Sequence, residues 1–146
     1  MIPSRFNIRV YGILIQEESV LITDELRSGV KMTKFPGGGL EFGEGISDCL
    51  KREFMEELNV KINVKNLFYI NESFQISSFN ENDQLISVYY YVSLEDGIIN
   101  ATETPFLFET EEPQCFRWLH LNDISENDVT FPIDKIVVEK LICLKK

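Results

Sequence analysis

The apolar positions change period several times along the chain, and each change marks an element. From Phe6 to Gln16 the run Ile13-Leu14-Ile15 breaks strict alternation, which suits a strand covered on both faces. Glu17-Glu18 reads as a hairpin turn into a short β-branched strand, Ser19 to Thr23. Asp24 to Lys34 reads as a polar loop, and a sharp Phe35-Pro36-Gly37-Gly38-Gly39 turn follows, running on as a short strand from Gly38 to Phe42. The period then becomes helical: Ile46, Leu50, Phe54 and Leu58 form one stripe, with Ser47 or a neighbour as cap and Asp48 in the first turn. Val60, Ile62 and Val64 alternate with polar residues as a half-covered strand, and Leu67 to Ile76 is a second extended run interrupted at Asn71-Glu72. Phe79 to Asp83 is a turn, and Gln84 to Leu94 reads as a central strand. Glu95 to Glu112 is the longest irregular segment, Cys115 to His120 a further strand, and Pro132 to Leu144 a last helix with Ile133, Ile136, Val137, Leu141 and Leu144 on one face. Strands on either side of one internal helix, with a second helix at the end, predict an α/β chain with a mixed sheet between helices.

Composition narrows this picture. The 146 residues fit one domain, 1–146, without repeats or a linker, and 44% hydrophobic with 12% aromatic residues is ordinary for a globular protein. The net charge of −10 argues against binding a nucleic-acid polymer, and an anionic small molecule would have to meet locally reversed charge. No stretch approaches 18 apolar residues and the amino terminus has no long apolar core, so neither a membrane span nor a signal peptide is expected. Cys49, Cys115 and Cys143 are odd in number and lack C-x-x-C spacing, which fits a reducing, cytoplasmic setting. His120 is the only histidine and reads as a partly exposed strand residue.

The chemistry concentrates in Pro36 to Val60, PGGGLEFGEGISDCLKREFMEELNV. On a helix, Glu53, Glu56 and Glu57 fall within roughly a 100° arc. Like charges at that spacing repel, so a cation should compensate them, and a divalent metal suits three carboxylates. Three glutamates alone would better suit a solvated acidic face. The full spacing decides otherwise: six specified positions meet by chance in one register with a frequency of ~10⁻⁶ or below.

The stretch resembles the Nudix box, G-x5-E-x7-R-E-U-x-E-E-x-G-U with U a bulky aliphatic residue; Gly38, Glu44, Arg52, Glu53, Glu56, Glu57 and Val60 match. Phe54 stands where an aliphatic is usual, and Asn59 where Gly is usual. Phe54 still lies on the apolar stripe, and Asn is the residue after Gly that best tolerates the left-handed turn expected there. The resemblance implies the family's α/β/α sandwich with a mixed β-sheet. It also implies hydrolysis of a diphosphate linkage in a nucleotide-linked small molecule, with Mg2+ or Mn2+ as cofactor. Metal held by carboxylates neutralises the phosphates, orients the bond and acidifies water, and a further carboxylate takes the proton.

By the same resemblance Glu56 and Glu57 are the main metal ligands, with the Gly37 carbonyl as an extra. Glu53 is the general base or a water-mediated ligand, Arg52 orients it, and Glu44 supports the loop and helix or a second metal. In some members a glutamate of a later loop joins the metal or serves as base; Glu111 or Glu112 is the residue here, a solvated acidic tail being the plain alternative. Arg27, with Lys31 and Lys34, precedes the glycines and is singled out for phosphate oxygens, although surface cations are usually nothing more. Phe131-Pro132 followed by Asp134 resembles the MutT-type approach to the final helix. Asp134 would there accept hydrogen bonds from a guanine edge, or simply sit in the first helical turn.

A MutT-like nucleoside triphosphate pyrophosphatase is the leading version. Nucleotide-sugar, ADP-ribose and dinucleoside polyphosphate hydrolysis stay open. A proline that marks many ADP-ribose hydrolases would fall near Ile76, where there is none. A non-catalytic nucleotide-sensing Nudix domain is the alternative of another class, and a homodimer is an open assembly.

Overall fold

The computed structural model describes residues 2–108 and 113–145. In chain order the elements are β1 (Arg5–Gln16), β2 (Ser19–Arg27), β3 (Val30–Lys34), β4 (Gly37–Gly39), α1 (Ile46–Leu58), β5 (Lys61–Ile70), β6 (Asp83–Asp96), β7 (Gln114–His120) and α2 (Pro132–Lys145), with a 3₁₀ turn at Glu126–Asp128 before α2. Two compact units divide the chain: residues 1–12 with 37–97, and residues 13–36 with 98–146. β1 contributes to both.

The first unit carries β4, α1, β5 and β6. β4 pairs antiparallel with β1, setting Arg9 opposite Gly39, Val10 opposite Gly38 and Tyr11 opposite Gly37. β5 and β6 form an antiparallel pair interrupted by register shifts. Val10, Leu50, Phe54, Val60, Ile62, Val88, Tyr89 and Val92 are buried and make up its core. A Cβ at Gly12 would lie 2.7 Å from Phe54 Cε1, so the missing side chain is what lets α1 seat Phe54 against β1.

Helix α1 follows its expected stripe through Leu50 and Phe54, both fully buried, with Cys49 beside them. Its cap is Gly45 rather than Ser47; Gly45 N donates to Asp48 Oδ2 at 3.3 Å, so the side-chain acceptor comes from within the first turn. At the other end Asn59 is left-handed (φ 54°, ψ 42°), and its N donates to Met55 O at 3.0 Å. The strand expected from Gly38 to Phe42 is instead Gly37–Gly39; Leu40 N still donates to Ile8 O of β1 at 2.9 Å, and Phe42 is fully exposed.

In the second unit β2 pairs with the end of β1, with β3 and with β7, all antiparallel. The polar stretch 24–34 is no loop: β2 runs on to Arg27 and returns as β3. Ser28 and Gly29, at φ 51° and 77°, close a two-residue hairpin whose twist suits the strands. Burial of Asp24 and Lys34 hid this strand from a hydrophobic reading. Both are paired, Asp24 with Arg117 and Lys34 with Glu25 at 3.0 Å. The extended run from Leu67 to Ile76 also differs from expectation: its first residues continue β5, which ends at Ile70. On α2, Ile133, Val137, Val138 and Leu141 are buried while Leu144 is 68% exposed, so the stripe passes through Val138 rather than Leu144.

Candidate active site

The site is assembled in the first unit, where β4, the following loop and α1 converge on one guanidinium. Arg52 donates from Nε to Glu44 Oε2 at 2.9 Å and from Nη2 to Glu44 Oε1 at 2.7 Å. Its Nη1 donates to Glu53 Oε1 at 2.9 Å and to Glu56 Oε2 at 3.3 Å. Nη2 also donates to the carbonyl of Gly39 at 3.1 Å. Arginine has five N–H donors in a rigid fork, and these five acceptors use them all. The guanidinium is held strongly in its charged form, chiefly by the Glu44 hydrogen bonds.

The partners are fixed in turn. Glu44 Oε1 accepts from Glu41 N at 2.9 Å, so this carboxylate closes its own loop. Hydrogen bonds from Arg52, then from Glu41 N, pull the Glu44 carboxyl down to about 2. The Cys49 thiol donates to Gly39 O at 3.6 Å. Burial, then Glu44, pushes that thiol up to about 12, which leaves it no nucleophile at neutral pH. Glu53 lies against β4, where a Cβ at Gly38 would come within 2.5 Å of its Cδ. Only glycine at position 38 lets the Glu53 carboxylate lie flat on the strand.

The structure therefore brings Gly38, Glu44, Arg52, Glu53 and Glu56 into one network, with Glu57 on the same helix. Glu56 keeps 59% of its side chain in solvent, while Glu57 Oε2 is shielded from it. Gly37 opens β4. Gly39, Cys49 and Glu41 also enter the cluster. Gly39 and Cys49 enter through a carbonyl and a thiol, and Glu41 through its N–H and a carboxylate 3.7 Å from Arg52 Nη1, which residue spacing does not show. Arg27 and Asp134 belong to the second unit: Arg27 is exposed at the mouth of the β2–β3 hairpin, and Asp134 is 2% exposed in the first turn of α2. Glu111 and Glu112 lie outside the described residues. His120 ends β7, half-buried, its Nδ1 accepting from Asn122 N at 3.1 Å.

Among the described residues no three Asp, Glu, His or Cys side chains converge as a preformed metal cage. The donor set nevertheless fits a hard divalent cation. Glu53, Glu56 and Glu57 offer only carboxylate oxygens at i, i+3 and i+4, and their mutual repulsion is met here in part by Arg52. No helix of the described residues is long and apolar enough to cross a membrane.

Comparison with known proteins agrees with this geometry. The NUDIX domain family model matches residues 5–141. The chain is 26% identical over 138 residues to human nucleoside diphosphate-linked moiety X motif 6, an alignment covering 91% of this chain and 40% of that protein. Among solved structures, the E. coli ORF135 protein superposes with a TM-score of 0.72 at 18% identity, over 97% of this chain and 92% of that one. A MutT NUDIX hydrolase from Burkholderia pseudomallei gives 0.70 at 15% identity, over 92% and 96%. These solved structures share the α/β architecture, a mixed sheet with two helices. Matched over nearly its whole length by the family model, with the box residues gathered around Arg52, the chain belongs to the Nudix family.

Proposed function

We propose that this protein hydrolyses a pyrophosphate linkage in a nucleoside diphosphate derivative with Mg2+ or Mn2+, the leading version being a MutT-like nucleoside triphosphate pyrophosphatase acting in the cytoplasm. Members of the family generally use divalent metal ions. Glu56 and Glu57 would hold the ion here, with the Gly37 carbonyl as a further oxygen. When bound, it would neutralise charge on the phosphates.

The observation that carries the reading is the saturated fork of Arg52. One guanidinium fixes Glu44, Glu53, Glu56 and the β4 backbone at Gly39 together. That arrangement holds Glu53 in one orientation against Gly38, as a general base needs if it is to meet a water at hydrogen-bond distance. Glu44 takes the other side of the fork and ties the loop to the helix, so the base, the β4 carbonyls and the remaining carboxylates keep fixed separations. Arg52 itself has no N–H left for substrate; its part is positioning.

The test is direct. The protein is incubated with Mg2+ and a panel of nucleoside triphosphates, nucleotide sugars, ADP-ribose and dinucleoside polyphosphates, and the phosphorus-containing products are identified. Release of pyrophosphate and a nucleoside monophosphate supports the leading version. Full turnover in EDTA would remove the metal from the reading, and no turnover on any member would remove the reading itself.

A further inference from the structure

Three carboxylates approach Arg52 Nη1, and they are not held alike. Glu53 Oε1 lies at 2.9 Å and Glu56 Oε2 at 3.3 Å, both as hydrogen bonds. Glu41 Oε1 stands at 3.7 Å, an ion-pair distance longer than a hydrogen bond. Glu53 and Glu56 come from α1, whereas Glu41 comes from the loop between β4 and α1. Glu53 keeps 13% of its side chain in solvent, against 59% for Glu56 and 67% for Glu41. Water surrounds most of the last two, so either can swing without disturbing a packed neighbour.

The backbone that carries Glu41 is fixed. Glu41 N donates to Glu44 Oε1 at 2.9 Å, and Glu44 N donates to Glu41 O at 3.3 Å. These bonds close a four-residue turn in which Gly43 takes φ +89°. Arg52 in turn grips both oxygens of Glu44. The guanidinium thus anchors the very turn that presents the Glu41 carboxylate to it. A shift of about 0.5–1 Å would bring Glu41 Oε1 into hydrogen-bond range of Nη1.

Glu56 has two cations to serve. Here it accepts from Nη1, and in the reading above it also holds a divalent ion. A carboxylate turned towards a dication has less charge left for a neighbouring guanidinium. Its bond to Nη1, the longest that Arg52 makes to oxygen, is then the first to be given up. An N–H left without an acceptor loosens the fork. Glu53, held by the same nitrogen, loosens with it.

We propose that Glu41 takes the place of Glu56 on Arg52 Nη1 when Glu56 turns to the divalent ion, and so keeps Glu53 oriented. The inference rests on the reading that Glu56 holds the metal, and it gives a use to a carboxylate that the box does not specify. Glu41 is a positioning residue, acting on Glu53 through Arg52.

The experiment compares full chains: wild type, Glu41→Ala, Glu41→Gln, Glu56→Gln, the double variant Glu41→Ala/Glu56→Gln, and Glu81→Gln as an exposed glutamate of the same unit. The guanidinium N–H resonances of Arg52 are followed by NMR without metal and in saturating Mg2+. Mn2+ affinity is measured by electron paramagnetic resonance, and kcat and KM on the nucleotide that wild type cleaves best. Without metal, Glu41→Ala should keep the wild-type Arg52 resonances, because Glu56 serves Nη1. In Mg2+ these resonances should persist in wild type and broaden in Glu41→Ala. Mn2+ binding should weaken about 3- to 10-fold in that variant, since binding then leaves Nη1 unserved, a size between an exposed ion pair and a charge-assisted hydrogen bond. Its kcat should fall by a similar factor with KM little changed. Glu41→Gln, whose amide oxygen still accepts, should recover part of the loss, and Glu81→Gln should resemble wild type. Arg52 resonances that survive Mg2+ in Glu41→Ala, or a loss as large without metal as with it, would overturn the proposal. The double variant needs no metal: removing both carboxylates should broaden the Arg52 resonances where neither single change does, and equal spectra would overturn the proposal as well. If wild type binds no divalent ion, the metal reading fails by itself, and the metal-free comparison still decides whether Glu41 can replace Glu56.

Discussion

Arg52 grips both carboxylate oxygens of Glu44, at 2.9 and 2.7 Å, across eight residues of chain. This bidentate pair closes the loop between β4 and α1 and leaves the rest of the guanidinium for Glu53, Glu56 and Gly39. A lysine cannot reproduce the fork, since it offers three donors from one point. Arg52→Lys should lower kcat about 10- to 100-fold while KM changes little, as expected for a residue acting through the orientation of another. Steady-state kinetics check this, and an unaltered kcat would mean that Glu53 needs no such support.

The same pair makes stability depend on pH in an identifiable window. The Glu44 carboxyl sits at about 2 in the folded protein, against roughly 4.3 in an unfolded chain. A depressed folded value means a contribution fully present above the unfolded value and lost as pH falls through the folded one. Melting temperatures of wild type and Glu44→Gln should therefore differ by a constant amount above about pH 5 and converge between roughly pH 4.3 and 2. A gap that persists unchanged at pH 2 would show that the ionised form of Glu44 is not what stabilises the loop.

Two glycines of the same stretch should respond oppositely to alanine. At Gly38 a Cβ would stand 2.5 Å from Glu53 Cδ, so the carboxylate must move off the strand. Displacement by about 1 Å costs catalysis on the order of 100-fold, so Gly38→Ala should lose at least that in kcat. Gly43 has φ +89°, and a Cβ there would meet no atom within 4 Å. Gly43→Ala should cost about 1 kcal/mol of stability from backbone strain and leave kcat near wild type. Chemical denaturation alongside kinetics separates the two, and equal kcat values would count against the placement of Glu53.

Asn59 should be exchangeable. Its left-handed backbone is one that glycine enters more easily, but glycine also loosens the unfolded chain. Asn59→Gly should keep stability within ~1 kcal/mol and activity unchanged. A large loss of turnover would reveal a role for the amide that the helix cap does not account for.

In the second unit, Asp24 is fully buried, and Arg117 reaches it from Nε at 2.5 Å and Nη2 at 3.0 Å. Thr33 Oγ1 donates to it at 2.7 Å and Phe106 N at 3.2 Å. Burial alone would push this carboxyl up; Arg117, Thr33 and Phe106 outweigh it and hold the group below its usual value. Arg117→Ala would strand the charge and should cost about 3–5 kcal/mol in urea unfolding. A loss below about 1 kcal/mol would mean that water or another donor replaces the guanidinium.

How much was legible in the residues differs between the two units. The Nudix box, the helix 46–58 and the left-handed turn at Asn59 were readable because each depends on neighbours in sequence: carboxylates at i, i+3 and i+4, an apolar stripe, a residue suited to positive φ. The hairpin of β2 and β3 was not readable. Its buried positions include the polar Asp24, Thr33 and Lys34, and their satisfaction comes from Arg117, Thr130 and Glu25, partners up to 97 residues away. Pairings of that separation leave no periodic trace. The turn of the α2 stripe through Val138 was likewise settled by packing rather than by propensity. Sequence determined which carboxylates share a helix face. Tertiary structure decided that one guanidinium would bind them, that Gly38 would admit Glu53, and that Arg9 would lie across the strand from Gly39. Those relations depend on strand register, which a one-residue slip would invert.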